Sequence, residues 1–230
     1  MVKNEEYWLP YVLENLCQVF DKIVAIDCGS RDETPEILLY FRSIYHEKID
    51  LELLREMNLE KNGYIRQYMS EKTQTTWAAI IDGDEYYPVA ELKKLVDTIL
   101  PGSARLTYTT LEVVDLVDND FVIREPWSKQ CLFHVPSTTW NGPFPFEVPK
   151  PWIDSSDQST RFYYPDVVGY DLHHLPRSSR DEQTPHRLRK DLIRQVMPVR
   201  RAIPELKNEF QKRQWPNPVL EEIYAGRLPV

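Results

Sequence analysis

Two short apolar runs, each ending at an aspartate, constrain the fold of this chain most strongly. KIVAID ends at Asp27 and WAAIID ends at Asp82, and segments with helical periodicity lie between and around them. Short buried strands that alternate with helices are typical of βαβ units and a largely parallel sheet. Ligands of such sheets bind beyond the carboxyl ends of the strands. The pattern therefore predicts an α/β fold with Asp27 and Asp82 at the ligand-binding edge.

Apolar periodicity predicts the remaining elements. Helices are expected over 7–20, 34–45, 64–72, 90–100, 185–196 and 203–213. IDLELL is a candidate second strand. A hairpin is expected to turn at Asp118–Asn119, and DVVGYDLHH is expected to form a late strand. The Pro- and Trp-rich residues 126–151 read as a loop-rich region beside this framework.

Composition excludes several classes of protein. The 230 residues carry a net charge of −8, which is unfavourable for nucleic-acid binding. No run approaches the roughly 20 apolar residues that span a bilayer, and no signal peptide is recognised. Cys17, Cys28 and Cys131 have spacings that suit neither a disulfide framework nor a zinc site. A cytoplasmic protein without a membrane span or nucleic-acid partner is the expectation.

The charge is unevenly distributed. Between Pro176 and Arg213 there are 11 Lys and Arg against 5 Asp and Glu, so an acidic body is followed by a basic segment. Such a segment suits a phosphate-bearing ligand held beside a divalent metal. A solvated helix face explains the same charges equally simply.

The sequence IIDGDEYY places Asp82, Asp84 and Glu85 directly after an apolar strand. Gly83 is expected to give the backbone the freedom to present both aspartates on one side. Clustered carboxylates suit Mn²⁺ or Mg²⁺, which prefer hard oxygen ligands and often bind substrate phosphates as well. The alternative is a solvated acidic turn or a group of helix-capping residues.

Two further segments add to this pattern. VKNEE lies at the start of the chain. FDKIVAIDCGSRDET begins at Phe20, after a segment long enough for one helix. Together with the D-x-D-E sequence at Asp82, they resemble the family 2 glycosyltransferases, over residues 1–88. The resemblance implies a GT-A (Rossmann-like) fold with a mostly parallel central sheet flanked by helices and a small β-hairpin and loop region on the acceptor side. It implies one domain over 1–230, divided into a nucleotide-sugar half (1–100), an acceptor half (101–175) and a basic helical segment (176–230).

The resemblance also implies roles for individual residues. The first motif matches the segment that lines the base pocket, Asp27 the carboxylate that reads the base, Asp82 the ribose-side aspartate and Asp84 the metal ligand. Arg66 matches an arginine near the ribose and phosphates. The implied nucleotide-sugar residues are Val2, Lys3, Glu5, Asp27, Asp32, Arg66, Asp82 and Gly83. Family members usually begin their first strand several residues before V-K-N-E, so a less complete base pocket is expected here.

The later motifs match more loosely. WNGPFPFE resembles the family's W-x-G-x-x-H-E, which makes Glu147 the first candidate for the general base that inverting transfer requires, although Phe146 replaces the histidine. An ordinary loop glutamate is the alternative reading. Asp115 and Glu112 are weaker candidates for the base.

A histidine pair and the basic segment complete the implied site. Relatives often complete the metal site with a late histidine, so His173 or His174 is the expected ligand, and their alternation on a strand would let one of them face the metal. A histidine with an ordinary hydrogen bond is the alternative. Arg187 and Lys190 are expected to neutralise the diphosphate. Trp140 and Asn141 are expected to line the acceptor side, although Trp140 could equally be a packing anchor.

The chain is therefore expected to be a hexosyltransferase-type enzyme that uses Mn²⁺ or Mg²⁺ and a UDP-, GDP- or dTDP-linked sugar, with a glycan or another hydroxyl compound as acceptor. A sugar-1-phosphate nucleotidyltransferase is the first alternative, but VKNEEYW contains no glycine for the phosphate loop of such enzymes. A nucleotide-sugar-binding module without catalytic activity is the second.

Overall fold

A computed structural model defines the fold over residues 1–55, 61–97, 105–117, 120–123, 127–142, 148–150, 161–173, 175–180 and 199–201. For most strand residues after position 104, only the backbone is described. The predicted helices over 185–196 and 203–213 lie outside the described residues, as does most of the implied segment 176–230.

The first part of the chain alternates helices with parallel strands. Its elements are α1 (Leu9–Val19), β1 (Ile23–Asp27), α2 (Thr34–Ile44) and β2 (Ile49–Leu53). Both helices carry a proline in the first turn, where the missing N–H group is not needed for the helix. β1 and β2 pair in parallel, with Asp27 opposite Leu53. Val2 adds an isolated parallel bridge to Asp27, which aligns the start of the chain with the end of β1.

The next elements surround the acidic turn predicted from the sequence. They are α3 (Asn62–Lys72), β3 (Trp77–Ala79), β4 (Glu85–Tyr86) and α4 (Val89–Asp97). The later chain forms β5 (Arg105–Val117), β6 (Asp120–Ile123), β7 (Trp127–His134), β8 (Thr139–Asn141), β9 (Val148–Lys150), β10 (Arg161–Asp171) and β11 (Val199–Arg201). The hairpin predicted at Asp118–Asn119 is confirmed by the antiparallel pairing of β5 with β6, in which Val117 lies opposite Asp120.

The prediction of a mostly parallel central sheet needs correction. In the larger sheet, β5 and β10 pair in parallel, but the other described pairs are antiparallel. The reason is connectivity. Tight hairpins and strands that return directly beside their predecessors produce antiparallel neighbours, whereas parallel pairing requires a long crossover. In the described part of the chain, the α-helices all lie between Leu9 and Asp97.

Three clusters of buried apolar side chains hold the layers together. One packs α1 and α2 onto β1 and β2, with Leu9, Ile37 and Leu38 almost fully buried. The other two join α1 to α4 and to the larger sheet. Helix α1 therefore links the parallel and mixed sheets, and this fixes the position of the loops at its N-terminal end. Among the described residues, no helix is long and apolar enough to cross a membrane.

Candidate active site

The turn after β1 is organised around the buried carboxylate of Asp27. One of its oxygens, Oδ2, accepts hydrogen bonds from the backbone N–H groups of Gly29 and Ser30, both at 3.1 Å. Gly29 has a φ of 81°, a conformation that is strained for other residues. Burial raises the pKa of Asp27, although the hydrogen bonds from Ser30 and Gly29 oppose that change. The carboxylate therefore shapes the loop that precedes α2.

The N-terminal motif closes onto this loop. Asn4, with a φ of 54°, accepts a hydrogen bond from the N–H of Arg31 at 2.8 Å, while its own N–H donates to Ser30 Oγ at 2.8 Å. The N–H of Glu5 donates to Thr34 Oγ1, also at 2.8 Å. Asn4 was not among the predicted site residues. Its place in V-K-N-E was visible in the sequence, but its partners, 26 and 27 positions away, were not.

The acidic turn after β3 is held by its own glutamate. The N–H of Asp82 donates to Glu85 Oε2, and the N–H of Glu85 donates to the Asp82 carbonyl, each at 3.1 Å. The carbonyl of Asp84 accepts from the N–H of Leu172, just after β10. Asp84 and Glu85 are both buried. The turn therefore holds Asp84 in place by contacts at both of its ends.

Gly83 is required by close packing. A Cβ at this position would lie 2.8 Å from Val2 Cγ1 and 2.9 Å from Glu5 Cγ. The sequence suggested that this glycine gives the backbone freedom, but its φ is not positive. Among the described glycines, positive φ values occur at Gly29 and Gly142. The absence of a side chain allows the N-terminal motif to lie directly against the D-x-D turn, so Val2 and Glu5 pack against Gly83.

Arg177 joins the two carboxylates that face each other across this contact. Its Nη1 donates to Asp84 Oδ2 and lies 3.3 Å from Glu5 Oε1. All three side chains are largely buried, with 12%, 9% and 6% of their surfaces exposed for Arg177, Asp84 and Glu5. Sequence reasoning missed Arg177, because its position three residues after the histidine pair carries no spacing signal toward Asp84.

The residues around Arg177 form a strap, which we define as 175–180, across the N-terminal motif. Ser178 Oγ donates to Asp32 Oδ2 at 2.6 Å, and the N–H of Ser179 donates to Glu6 Oε1. Trp8 Nε1 donates to the Pro176 carbonyl at 2.8 Å. The strap thus covers Glu5, Glu6, Asp32 and Asp84, which include three of the predicted ligand-binding acids.

Arg66 occupies the other side of the acidic turn. Its Nη2 lies 3.4 Å from Asp82 Oδ1, and its guanidinium lies over the ring of Trp140, 5.8 Å from the ring centroid. Trp140 is buried and also packs edge-on against Phe133. Gln67 Oε1 accepts a hydrogen bond from the N–H of Trp140 at 2.8 Å. Arg66 therefore contacts both Asp82 and Trp140.

His173 lies in a turn, since β10 ends at Asp171. The expectation that strand alternation would separate His173 from His174 therefore does not apply. The Nδ1 atom of His173 lies 2.7 Å from Asp171 Oδ1, which orients the ring. His174 lies outside the described residues, as do Glu147, Arg187 and Lys190.

The backbone alone is described at three other predicted positions. Asp115 lies in β5 opposite Val122, and Glu112 pairs with Asp171 of β10 in register. Asn141 lies in β8 opposite Val148. Lys3 is half-buried between the bridging Val2 and Asn4.

The residues present fit a hard divalent cation in their chemistry. Asp84 supplies a buried carboxylate, and Arg177 shows that its Oδ2 accepts a cationic partner. Within the described ranges, however, no group of three His, Cys, Asp or Glu residues forms a complete set of ligands. A cavity of about 520 Å³ is lined by residues of β1, β3 and α3, including Arg66, but neither Asp82 nor Asp84 lines it.

Comparison with known proteins agrees with this architecture. The family model described as glycosyl transferase family 2 matches residues 1–153. Among curated proteins, none matches the chain significantly.

Solved structures of similar fold include the crystal structure of S. aureus TarS 1–349. It has a TM-score of 0.50 and 14% identity, and the match covers 75% of this chain and 58% of that one. For the crystal structure of S. aureus TarS, the TM-score is 0.51 and the identity 15%, with 82% of this chain and 37% of that one covered. The chain thus spans between about a third and three-fifths of these two structures' lengths.

At these identities the similarity concerns the fold, and the family model covers about two thirds of the sequence. The chain belongs to glycosyl transferase family 2 and has the GT-A fold.

Proposed function

We propose that this protein transfers a sugar from a nucleoside-diphosphate donor to an acceptor hydroxyl, with inversion at the anomeric carbon. The observation that carries this proposal is the meeting of Glu5, Asp82 and Asp84 at one edge of the fold, around Gly83. Buried carboxylates at the ends of strands are expected where an α/β protein binds its ligand. Membership of the family makes an activated sugar the ligand we favour.

The donor is proposed to lie along the loops after β1 and β3. Val2, Lys3, Glu5 and Asp27 would surround the base, with Asp32 in the same loop. Arg66 and Asp82 form an ion pair in this structure, and we propose that they contact the ribose and phosphates. Arg187 and Lys190 are proposed to neutralise the diphosphate. UDP-, GDP- and dTDP-linked sugars all meet this description.

A divalent cation, Mn²⁺ or Mg²⁺, is proposed to bind at Asp84, with His173 or His174 as a second ligand. When bound, such an ion would stabilise the negative charge that develops on the leaving nucleoside diphosphate. His173 is already oriented by Asp171 through its Nδ1 atom. Support for the ion comes from the hard carboxylate donors of the turn.

The acceptor is proposed to bind near β8, where Asn141 lies beside Trp140. Glu147 is the first candidate for the general base that removes the proton of the attacking hydroxyl, and Asp115 is the second. The buried position of Trp140 favours a positioning role, in which its ring holds Arg66. We therefore propose that Trp140 positions Arg66 beside the ribose and phosphates of the donor, and that Asn141 remains the acceptor-side residue. A glycan is the proposed acceptor class, and a cytoplasmic location is proposed with it.

One observation favours a second candidate. Because Arg177 neutralises Asp84 in this structure, a nucleotide-sugar-binding module without turnover would have the same arrangement. The two candidates differ in whether the bound donor is consumed.

The deciding experiment incubates the protein with UDP-, GDP- and dTDP-linked sugars, with and without Mn²⁺, and measures the free nucleoside diphosphate. Water can replace the acceptor hydroxyl as the nucleophile, so release of nucleoside diphosphate above the buffer rate supports transfer. Asp84→Asn serves as the inactive control, and Asp50→Asn, an exposed change on β2, serves as the matched active control. Binding of a donor without release supports the binding module, and absence of both binding and release rejects the proposal.

A further inference from the structure

We propose that Arg177 is an exchangeable counter-cation of the site. Its guanidinium neutralises Asp84 when the donor site is empty, and a divalent cation replaces it there when the donor binds. The proposal rests on the proposed function only in placing that cation at Asp84. The proposal gives a role to Arg177, a strap residue that is not one of the proposed metal ligands.

The burial of the three groups makes a cation necessary. Asp84 and Glu5 lie on either side of Gly83, with less than a tenth of each side chain exposed. Two buried carboxylates repel each other and lose much of their hydration. A positive group between them offsets both costs. Arg177 is that group, since its Nη1 contacts both.

The same geometry would bring Arg177 and a metal ion to one carboxylate oxygen. Asp84 Oδ2 accepts from Arg177 Nη1, and a divalent ion bound to the same oxygen would lie close to the guanidinium. Like charges at that separation disfavour joint occupation. The ion and the guanidinium therefore compete for Asp84.

Glu5 provides the position to which Arg177 can withdraw. Its Oε1 lies 3.3 Å from the same Nη1, so a small rotation of the side chain keeps one ion pair while it breaks the other. The backbone need not move for this exchange. The carbonyls of Pro176 and Arg177 accept hydrogen bonds from Trp8 Nε1 and the N–H of Tyr7, which hold the strap in place.

Binding of Mn²⁺ alone, measured by electron paramagnetic resonance without nucleotide, tests the competition. Arg177→Gln is expected to bind Mn²⁺ about tenfold more tightly than the wild type, because the ion no longer displaces a guanidinium. Arg180→Gln is the matched control. It removes an exposed arginine of the same strap, whose Nε donates to the Arg31 carbonyl, and it should leave the affinity unchanged. In Arg177→Gln combined with Asp84→Asn, the gain should disappear.

Thermal unfolding provides a second readout. In the presence of EDTA, Arg177→Gln should unfold at a lower temperature than the wild type, because Glu5 and Asp84 then lack their shared cation. Saturating Mn²⁺ should raise its midpoint by more than it raises that of the wild type. If Arg177→Gln does not fold in EDTA, Arg177→Lys retains the charge with fewer donors, and an intermediate gain in Mn²⁺ affinity is expected.

Unchanged or weaker Mn²⁺ binding in both variants would overturn the proposal, and so would a gain that persists without Asp84. Its failure is separable from that of the proposed function. Release of nucleoside diphosphate by a protein whose Mn²⁺ affinity is independent of Arg177 would reject the exchange alone. If Arg177 competes with Mn²⁺ for Asp84 but the protein releases no nucleoside diphosphate, only the proposed sugar transfer is rejected.

Discussion

The guanidinium of Arg66 faces the carboxylate of Asp82, with Nη2 3.4 Å from Oδ1. The same guanidinium lies over the ring of Trp140. Only 11% of the arginine side chain is exposed, against 31% of the Asp82 side chain, so the contact with the buried Trp140 is the better shielded from water. Through this one side chain, α3 connects the acidic turn to the strand β8, where the acceptor is proposed to bind.

The contact between Arg66 and Trp140 should be measurable as a coupling energy. In a double-mutant cycle with Arg66→Gln and Trp140→Leu, we expect a coupling of about 0.5–2 kcal/mol in the free energy of unfolding, since the pair is partly desolvated. Urea unfolding of the four proteins gives this value. Lys72 over Tyr68 is a more exposed pair, with 22% of the lysine side chain and 43% of the tyrosine exposed, and should show a smaller coupling. Equal couplings would mean that burial does not strengthen the contact.

Asp84→Asn should lower the rate of donor turnover by about a hundredfold or more, because a neutral amide is a poor ligand for a hard cation and cannot balance its charge. The fold should persist, since Arg177 keeps its ion pair with Glu5. Nucleoside diphosphate release and far-ultraviolet circular dichroism give the two results. Wild-type turnover in this variant would remove Asp84 from the proposed site.

Gly169 in β10 should not tolerate a side chain. A Cβ at this position would lie 1.7 Å from Cε1 of Tyr87, whose side chain is almost fully buried. Gly169→Ala is expected to destabilise the protein by about 1–3 kcal/mol, the range found for overpacked cores. Chemical unfolding measures the loss.

The clash can be attributed by a second substitution. Tyr87→Leu leaves space beside Gly169, so the double variant should lose less stability than the sum of the two single variants. If the two losses of stability simply add, the destabilisation by Gly169→Ala does not come from a clash with the ring of Tyr87.

Cys17 should make the stability decrease in alkaline solution. Burial raises the pKa of its thiol from 9.0 to about 11, although Lys48 opposes the change. The folded protein then retains a proton that the unfolded chain releases, so this contribution is complete below pH 9 and is lost as the pH rises from about 9 to 11. Denaturant midpoints between pH 8 and pH 11 measure this loss. Cys17→Ala should show a shallower decline, and an identical decline would exclude this thiol as the cause.

The buried thiols should also react slowly. Burial raises the pKa of Cys28 as well as that of Cys17, and the thiolate is the reactive form. At pH 8, a thiol reagent should modify these two residues in the folded protein far more slowly than in the denatured chain. Mass spectrometry of peptides after timed labelling identifies each site. Rapid labelling of Cys17 in the native protein would contradict its burial.

The local elements of the first half could be predicted because their signals are local. Apolar periodicity placed α1 and α2 to within about two residues, and the two apolar runs marked the strands before Asp27 and Asp82. The turn at Asp118–Asn119 was likewise visible from its polar residues between two strands. The strand order of the larger sheet could not be predicted, because the sequence carries no local signal for which strands pair with each other.

The acidic centre of the site was determined by the sequence alone. Asp82, Gly83 and Asp84 follow one another along the chain, and their place after an apolar strand predicts their position at a sheet edge. The tertiary structure decided what surrounds them. Arg177 reaches Asp84 across 93 positions, and Ser178 reaches Asp32 across 146. Such contacts depend on how the strap after β10 packs over the N-terminal motif. A single charged residue carries no pattern from which that packing could be inferred, so the partners of the buried acids emerge only once the chain is folded.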